Sequence, residues 1–129
     1  MKNLYLITFT ALVSALFACQ SPANQTPRFK DSELIAEWAQ DSLGCFRFRN
    51  EKVAAKLVND NHLMNKNKGR FLQVFHSPDT TYESNGRETL VYYWGSVCQN
   101  DKLVPNSDKC YVNFYFKSNK LIFMEVPCE

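Results

Sequence analysis

The chain has 129 residues, a formal charge of +2, a hydrophobic fraction of 45 % and five cysteines against only four glycines. That length and hydrophobicity fit one packed domain and exclude a wholly disordered chain. The near-neutral charge gives no reason to expect a nucleic-acid partner, and the scarcity of glycine leaves no glycine-rich phosphate loop.

Residues 1–18 read as a leader. Met1-Lys2-Asn3 is a short positive start, Leu4 to Ala18 is apolar apart from Tyr5, Thr8, Thr10 and Ser14, and Ala15 and Ala18 supply small residues near its end. The run is shorter than the roughly 20 apolar residues that span a bilayer. Leu16-Phe17-Ala18-Cys19 resembles a bacterial lipobox, in which a peptidase cuts before the cysteine and a lipid is placed on its sulfur. The resemblance implies lipidation of Cys19 and anchoring in the cell envelope. The alternative is an ordinary signal peptide cut elsewhere, with Cys19 left as a thiol. From Cys19 to Lys30 the chain is polar and carries Pro22 and Pro27, which suits a flexible tether. Gln20 stands where an aspartate would mark inner-membrane retention in enterobacterial lipoproteins, so the outer membrane, facing the periplasm, is the implied site.

Residues 31–129 form the single globular domain. Asp31 or Ser32 can cap a first helix with Leu34, Ile35, Trp38, Ala39 and Leu43 at helical spacing, ended by Gly44. Asn50 caps a second helix with an apolar face of Val53, Ala54, Leu57 and Val58, broken at Asn59-Asp60-Asn61. Asn67 caps a third, carrying Phe71, Leu72, Val74 and Phe75, and Pro78-Asp79 closes the helical half. The period then changes. Glu88 to Val97 alternates as a strand, Gln99 to Lys109 is a polar loop, and Tyr111 to Lys117 alternates again. Ser118-Asn119-Lys120 is a short turn into a last strand, Leu121 to Val126. The predicted fold class is α+β: two to three N-terminal helices packed on one face of a three-stranded antiparallel β-meander.

Cys45, Cys98, Cys110 and Cys128 are an even set in an exported small domain and read as two disulfides. Cys98 with Cys110 is the favoured pair, because they flank the polar loop. That leaves Cys45 with Cys128. The rival is Cys110 with Cys128 across a hairpin. With no CxxC pair, a zinc site using His62 or His76 is disfavoured, and no metal or cofactor is expected.

Even-numbered strand residues, from Leu90, Tyr92 and Trp94 to Val112, Phe114 and Phe116, define a core face. A three-residue turn would keep Ile122, Met124, Val126 and Cys128 on it. The opposite face then holds Tyr93, Tyr111, Asn113, Tyr115, Leu121 and Phe123. Tyr93, Tyr111, Tyr115 and Phe123 form a candidate interaction face, since aromatics of this kind are enriched where proteins meet. The alternatives are that the first helix or the tether covers them, or that they are ordinary tyrosines on a solvated sheet.

From Asn65 onward the residue order resembles the SmpA/OmlA family of small outer-membrane lipoproteins, the BamE-like group. That family shows a glycine, a helix-capping Thr or Ser two places on, an apolar residue, then Leu-Gly-x-Pro. Here Asn67 stands at the cap, Phe71 at the apolar place, Phe75 at the leucine and Pro78 at the proline. Tyr92-Tyr93-Trp94 and the alternating run Val112 to Phe116, turning into Leu121-Ile122-Phe123, follow in the same order. Asn65 and His76 replace the family glycines, and the four cysteines and the helical region from Asp31 to Asp60 are not typical of the group. The likeness covers about residues 65–127. It implies helices on a three-stranded meander, a role in outer-membrane assembly or integrity, and no catalysis.

The expected function is therefore a lipid-anchored, non-enzymatic module with a membrane contact through Cys19 and a protein partner in the cell envelope. The alternative is a tethered inhibitor or ligand-binding domain, because β-lactamase inhibitor proteins share this small helix-plus-meander architecture. Enzymatic residue types occur at Asp60 and His62, and at His76, Ser77 and Asp79. Triad members this close in sequence lack the facing geometry that catalysis needs. Glu33 and Glu37 sit where a helix start already favours carboxylates. From Arg47 to Arg70 seven basic residues face only Glu51 and Asp60, a stretch suited either to solvent or to anionic headgroups.

Overall fold

The structure, a computed structural model, describes residues 29–128. The leader, Cys19 and the tether as far as Arg28 lie outside the described residues. Three helices come first, α1 (Ser32–Gln40), α2 (Glu51–Asp60) and α3 (Lys68–Phe75). Six strands complete the chain, β1 (Thr80–Ser84), β2 (Arg87–Trp94), β3 (Cys98–Gln99), β4 (Lys102–Leu103), β5 (Cys110–Lys117) and β6 (Lys120–Glu125). The fold is α+β.

Two helix starts have the caps expected of them. The side-chain oxygen of Asn50 accepts from the Val53 N–H at 3.0 Å, and that of Asn67 from the Arg70 N–H at 2.8 Å. Each satisfies a donor that the first turn leaves unpaired. α1 departs from expectation at both ends. Asp31 makes no side-chain cap, and its carboxylate instead accepts from the Lys56 ammonium at 2.8 Å. The helix stops at Gln40, short of Leu43, because the buried Asp41 carboxylate gathers the backbone of the loop that leads to α2. Its two oxygens accept from the Phe46 and Arg49 N–H groups at 2.7 and 2.8 Å. Ser42–Gly44 is a single tight turn with Leu43 at φ 68.

The sheet is four-stranded and antiparallel, in the order β1-β2-β5-β6, and β3 and β4 pair as a separate two-stranded ribbon. This corrects the three-stranded meander: β1 joins as an edge strand, and the ribbon occupies what reads as loop. Three hairpins use the same turn chemistry. Asn85-Gly86, Asn100-Asp101 and Ser118-Asn119 all have positive φ at both central residues, the backbone that matches strand twist in two-residue turns.

The last turn is therefore two residues long, with Lys117 opposite Lys120. This corrects the face assignment at the start of β6. Leu121 lies opposite Phe116 and is fully buried, whereas Ile122 is exposed. A register shift beside Phe116 restores parity, so Phe123 lies opposite Tyr115 and Met124 opposite Phe114. One inserted residue changes which side chains face inward, as a bulge must.

Ile35, Trp38, Ala54, Leu57, Phe71, Val74 and Phe75 of the helices enter one core with Leu90, Tyr92, Val112, Phe114, Phe116 and Leu121 of the sheet. Its centre is aromatic. Phe71 and Phe75 stack at 4.5 Å, and Phe114 lies 4.7 and 4.6 Å from them. Trp38 meets Phe75 edge-on at 5.0 Å. Such offset and edge contacts add roughly 0.5–1.5 kcal/mol each beyond the area they bury.

The disulfides join Cys45 to Cys98 and Cys110 to Cys128. The favoured pairing of Cys98 with Cys110 and Cys45 with Cys128 is thus overturned, and the rival hairpin pair Cys110–Cys128 stands. In the antiparallel ladder Trp94, not Cys98, faces Cys110. The chain after Trp94 instead folds back onto the turn after α1, where the Ser96 N–H donates to the Gly44 carbonyl at 3.2 Å. The bridges close separations of 53 and 18 residues, for which chain-entropy scaling gives about 4 and about 3 kcal/mol.

Candidate interaction surface

The helices cover one face of the sheet, and the other carries the tyrosines. Tyr93 lies opposite Tyr111, and Tyr115 opposite Phe123, so the ladder sets the four candidate residues side by side. Tyr93 and Tyr111 meet edge-on at 5.4 Å, and Tyr115 and Phe123 stack at 5.7 Å. α1 sends Ile35 and Trp38 into the core behind the sheet, so it does not cover these rings. Tyr82 of β1, opposite Thr89, extends the face by one strand and is 60 % exposed; Phe123 is 53 % exposed.

Tyr82, Tyr93, Tyr111 and Tyr115 wall an open concavity of about 440 Å³, lined also by Thr89, Val91, Lys109, Asn113 and Pro127. Phe123 stands beside it, against Tyr115. Lys109 brings a cation to one end, its ammonium 5.7 and 6.0 Å from the Tyr93 and Tyr111 rings. At the other end the Tyr115 hydroxyl donates to Glu125, and the Asn113 amide donates to the same carboxylate oxygen at 3.4 Å. Burial, reinforced by the bond to Glu125, holds the Tyr115 phenol above its usual range. The surface combines aromatic faces with hydroxyl, amide and ammonium tips. Such a set can offer ring contact and hydrogen bonding to a ligand.

Tyr82 and Lys109 belong to this surface but lie outside the strands that periodicity marks, whereas Thr89 shares the odd-numbered face of β2 with Tyr93. Tyr82 lies on the strand that periodicity misses, although Asn85-Gly86 beside Thr80-Thr81-Tyr82 is a hairpin signal.

The other singled-out residues have structural surroundings. His62 and His76 are exposed, and the His76 carbonyl accepts from the Tyr92 hydroxyl at 2.7 Å. Asp79 receives four donors, from Ser42, Leu43, Arg49 and Tyr93, which leaves it no role toward His76. Cys45, Cys98, Cys110 and Cys128 are paired as disulfides and offer no thiolate to a metal. Among the described residues no group of three His, Cys, Asp or Glu could hold a metal ion. No helix among them is long and apolar enough to cross a membrane.

The basic stretch does not form one free patch. Arg49 pairs with Asp79, Lys56 with Asp31 and Asp60, and Lys68 with Glu88. The Arg70 guanidinium lies 4.1 Å over the Phe29 ring.

No family model, curated protein or solved structure matches this chain.

Proposed function

We propose that the chain is a lipid-anchored, non-enzymatic interaction module of the bacterial cell envelope, facing the periplasm from the outer membrane and serving outer-membrane assembly or integrity. The observation that carries this reading is the tyrosine-lined sheet face. It is concave, it lies opposite the helices, and it exposes rings of the type that dominate protein contacts. The leader and the Cys19 motif support the anchor. Three features support the SmpA/OmlA-like resemblance: Asn67 caps α3, Phe71 and Phe75 are fully buried, and φ is positive at both Asn65 (62°) and His76 (57°), where that family places glycine.

The test is cross-linking in intact cells, followed by purification of the anchored protein and mass spectrometry of what is attached. Barrel proteins or their assembly machinery are the expected partners. A single exported enzyme or soluble protein would overturn the assembly role and favour the tethered inhibitor or binding domain, for which the concavity would be the binding site.

A further inference from the structure

We propose that the loop between α1 and α2 is a second contact surface, which docks on an anionic lipid bilayer through Phe46 and Phe48 while the sheet face stays open to a protein partner. This rests on the reading above in one respect only: the lipid on Cys19 is what keeps the loop near a bilayer.

Phe46 and Phe48 are 50 % and 40 % exposed, with ring centroids 6.4 Å apart, and Val97, beside the cysteine that tethers the loop, is 51 % exposed. Clustered apolar exposure of this kind marks an interaction site. The loop is held in place. Cys45 is bonded to Cys98, the Phe46 and Arg49 N–H groups are fixed on the buried Asp41 carboxylate, and Gly44 lies against the backbone of Trp94. The two rings are therefore presented to solvent by a braced scaffold and are not free to fold back into the core.

The charge around them specifies the surface they fit. Arg47 lies between the two phenylalanines in sequence, and Lys52 stands in the first turn of α2. Both are exposed, and neither makes an ion pair with a described residue. Glu51 is the one acid between Cys45 and Lys52. Aromatic rings interleaved with unpaired cations are suited to the headgroup boundary, where rings insert and cations meet anionic lipid.

The attachment permits this. Residues 19–28, fully extended, reach at most about 35 Å. The loop follows directly on α1, which itself spans only about 14 Å. Trp94, which packs beside this loop, belongs to the helix-covered side of β2, whereas Tyr93 faces the concavity. Docking by the loop thus leaves the tyrosine face directed elsewhere.

The experiment uses the full mature chain, residues 19–129, carrying Cys19→Ser so that no lipid is added. Sedimentation is measured with vesicles of phosphatidylethanolamine and phosphatidylglycerol, and with vesicles of phosphatidylcholine alone. The protein is expected to bind the anionic vesicles and to lose roughly tenfold or more in affinity with Phe46→Ser/Phe48→Ser, since two inserted rings are removed. Arg47→Gln/Lys52→Gln, which alters only exposed side chains, should weaken binding comparably, and Phe123→Ser on the sheet face should not. Absence of binding by the Cys19→Ser chain would overturn the proposal. So would unchanged binding in either the Phe46→Ser/Phe48→Ser or the Arg47→Gln/Lys52→Gln variant, or equal binding to the phosphatidylcholine vesicles. The anchor is read separately, from the mass of the N-terminal peptide of the wild-type chain, so a bare Cys19 would overturn the anchor without touching the vesicle result.

Discussion

The guanidinium of Arg49 lies 2.6 Å from the carboxylate of Asp79, and the two side chains are only 2 % and 3 % exposed. Arg49 also donates from Nε to the Trp38 carbonyl at 2.9 Å and lies 5.3 Å over the rings of both Trp38 and Tyr92. Asp79 in turn accepts from the Leu43 and Tyr93 N–H groups at 3.0 and 2.8 Å. One pair thus ties the end of α1, the turn after it, and the first two strands.

Removing the cation alone should be costly. Arg49→Ala leaves Asp79 buried beside backbone donors without its counter-charge, which should lower stability by about 3–5 kcal/mol in urea unfolding. Replacing Asp79 as well, in Arg49→Ala/Asp79→Ala, should cost less than the sum of the two single changes. Strict additivity would show that the pair is not coupled.

Gly44 is required by proximity. A Cβ there would lie 2.5 Å from the Trp94 Cα and 2.6 Å from the Tyr93 carbonyl oxygen, both backbone, at a φ of 72°. Gly44→Ala should destabilise the fold by about 2–4 kcal/mol. A thermal midpoint equal to wild type would contradict this contact.

His76 predicts the opposite sign. It stands after α3 at φ 57° and ψ −160°, a region that is nearly glycine-only, and its side chain is exposed. His76→Gly should therefore raise stability by about 1 kcal/mol, after the added freedom of the unfolded chain is offset. A loss of stability would show that the imidazole makes a contact that matters.

Tyr92 sets the alkaline limit. Burial pushes its phenol far above the ordinary value of 10.0, with nearby Arg49 opposing the shift only in part. The raised value destabilises the fold as pH climbs past 10.0, because the unfolded chain releases a proton that the fold retains. The loss should run at about 1.4 kcal/mol per pH unit. Tyr92→Phe should cost about 1 kcal/mol at pH 7, through the orphaned His76 carbonyl, and flatten the alkaline limb. Tyr115, also raised, is present in both proteins and cancels from the comparison. Equal slopes for the two proteins would refute the assignment.

The parts legible in the sequence are those with a strong period or a local cap. Asn50 and Asn67 announce α2 and α3, and alternation through Tyr92 and Phe114 separates the core face from the tyrosine face. The illegible parts depend on single residues or on distant chain. β1 is short and solvated, so its side chains carry little alternation, and Asn85-Gly86 is its one clear signal. The position of Leu121 depends on whether Ser118-Asn119 or Ser118-Asn119-Lys120 makes the turn, a choice that reverses parity. The disulfide pairing depends on where the chain goes after Trp94, which is decided by the close approach at Gly44. The buried Arg49–Asp79 pair bridges 30 positions and leaves no local pattern.

The central claim is that the tyrosine face of the sheet is where a partner binds. The most direct test places a photo-activatable amino acid at Tyr82 or Phe123, and for comparison at the exposed helical positions Ala36 or Gln73, in living cells. Adducts of one defined size from Tyr82 and Phe123, and none from Ala36 and Gln73, are the predicted result. Adducts from the helical positions alone would contradict the account.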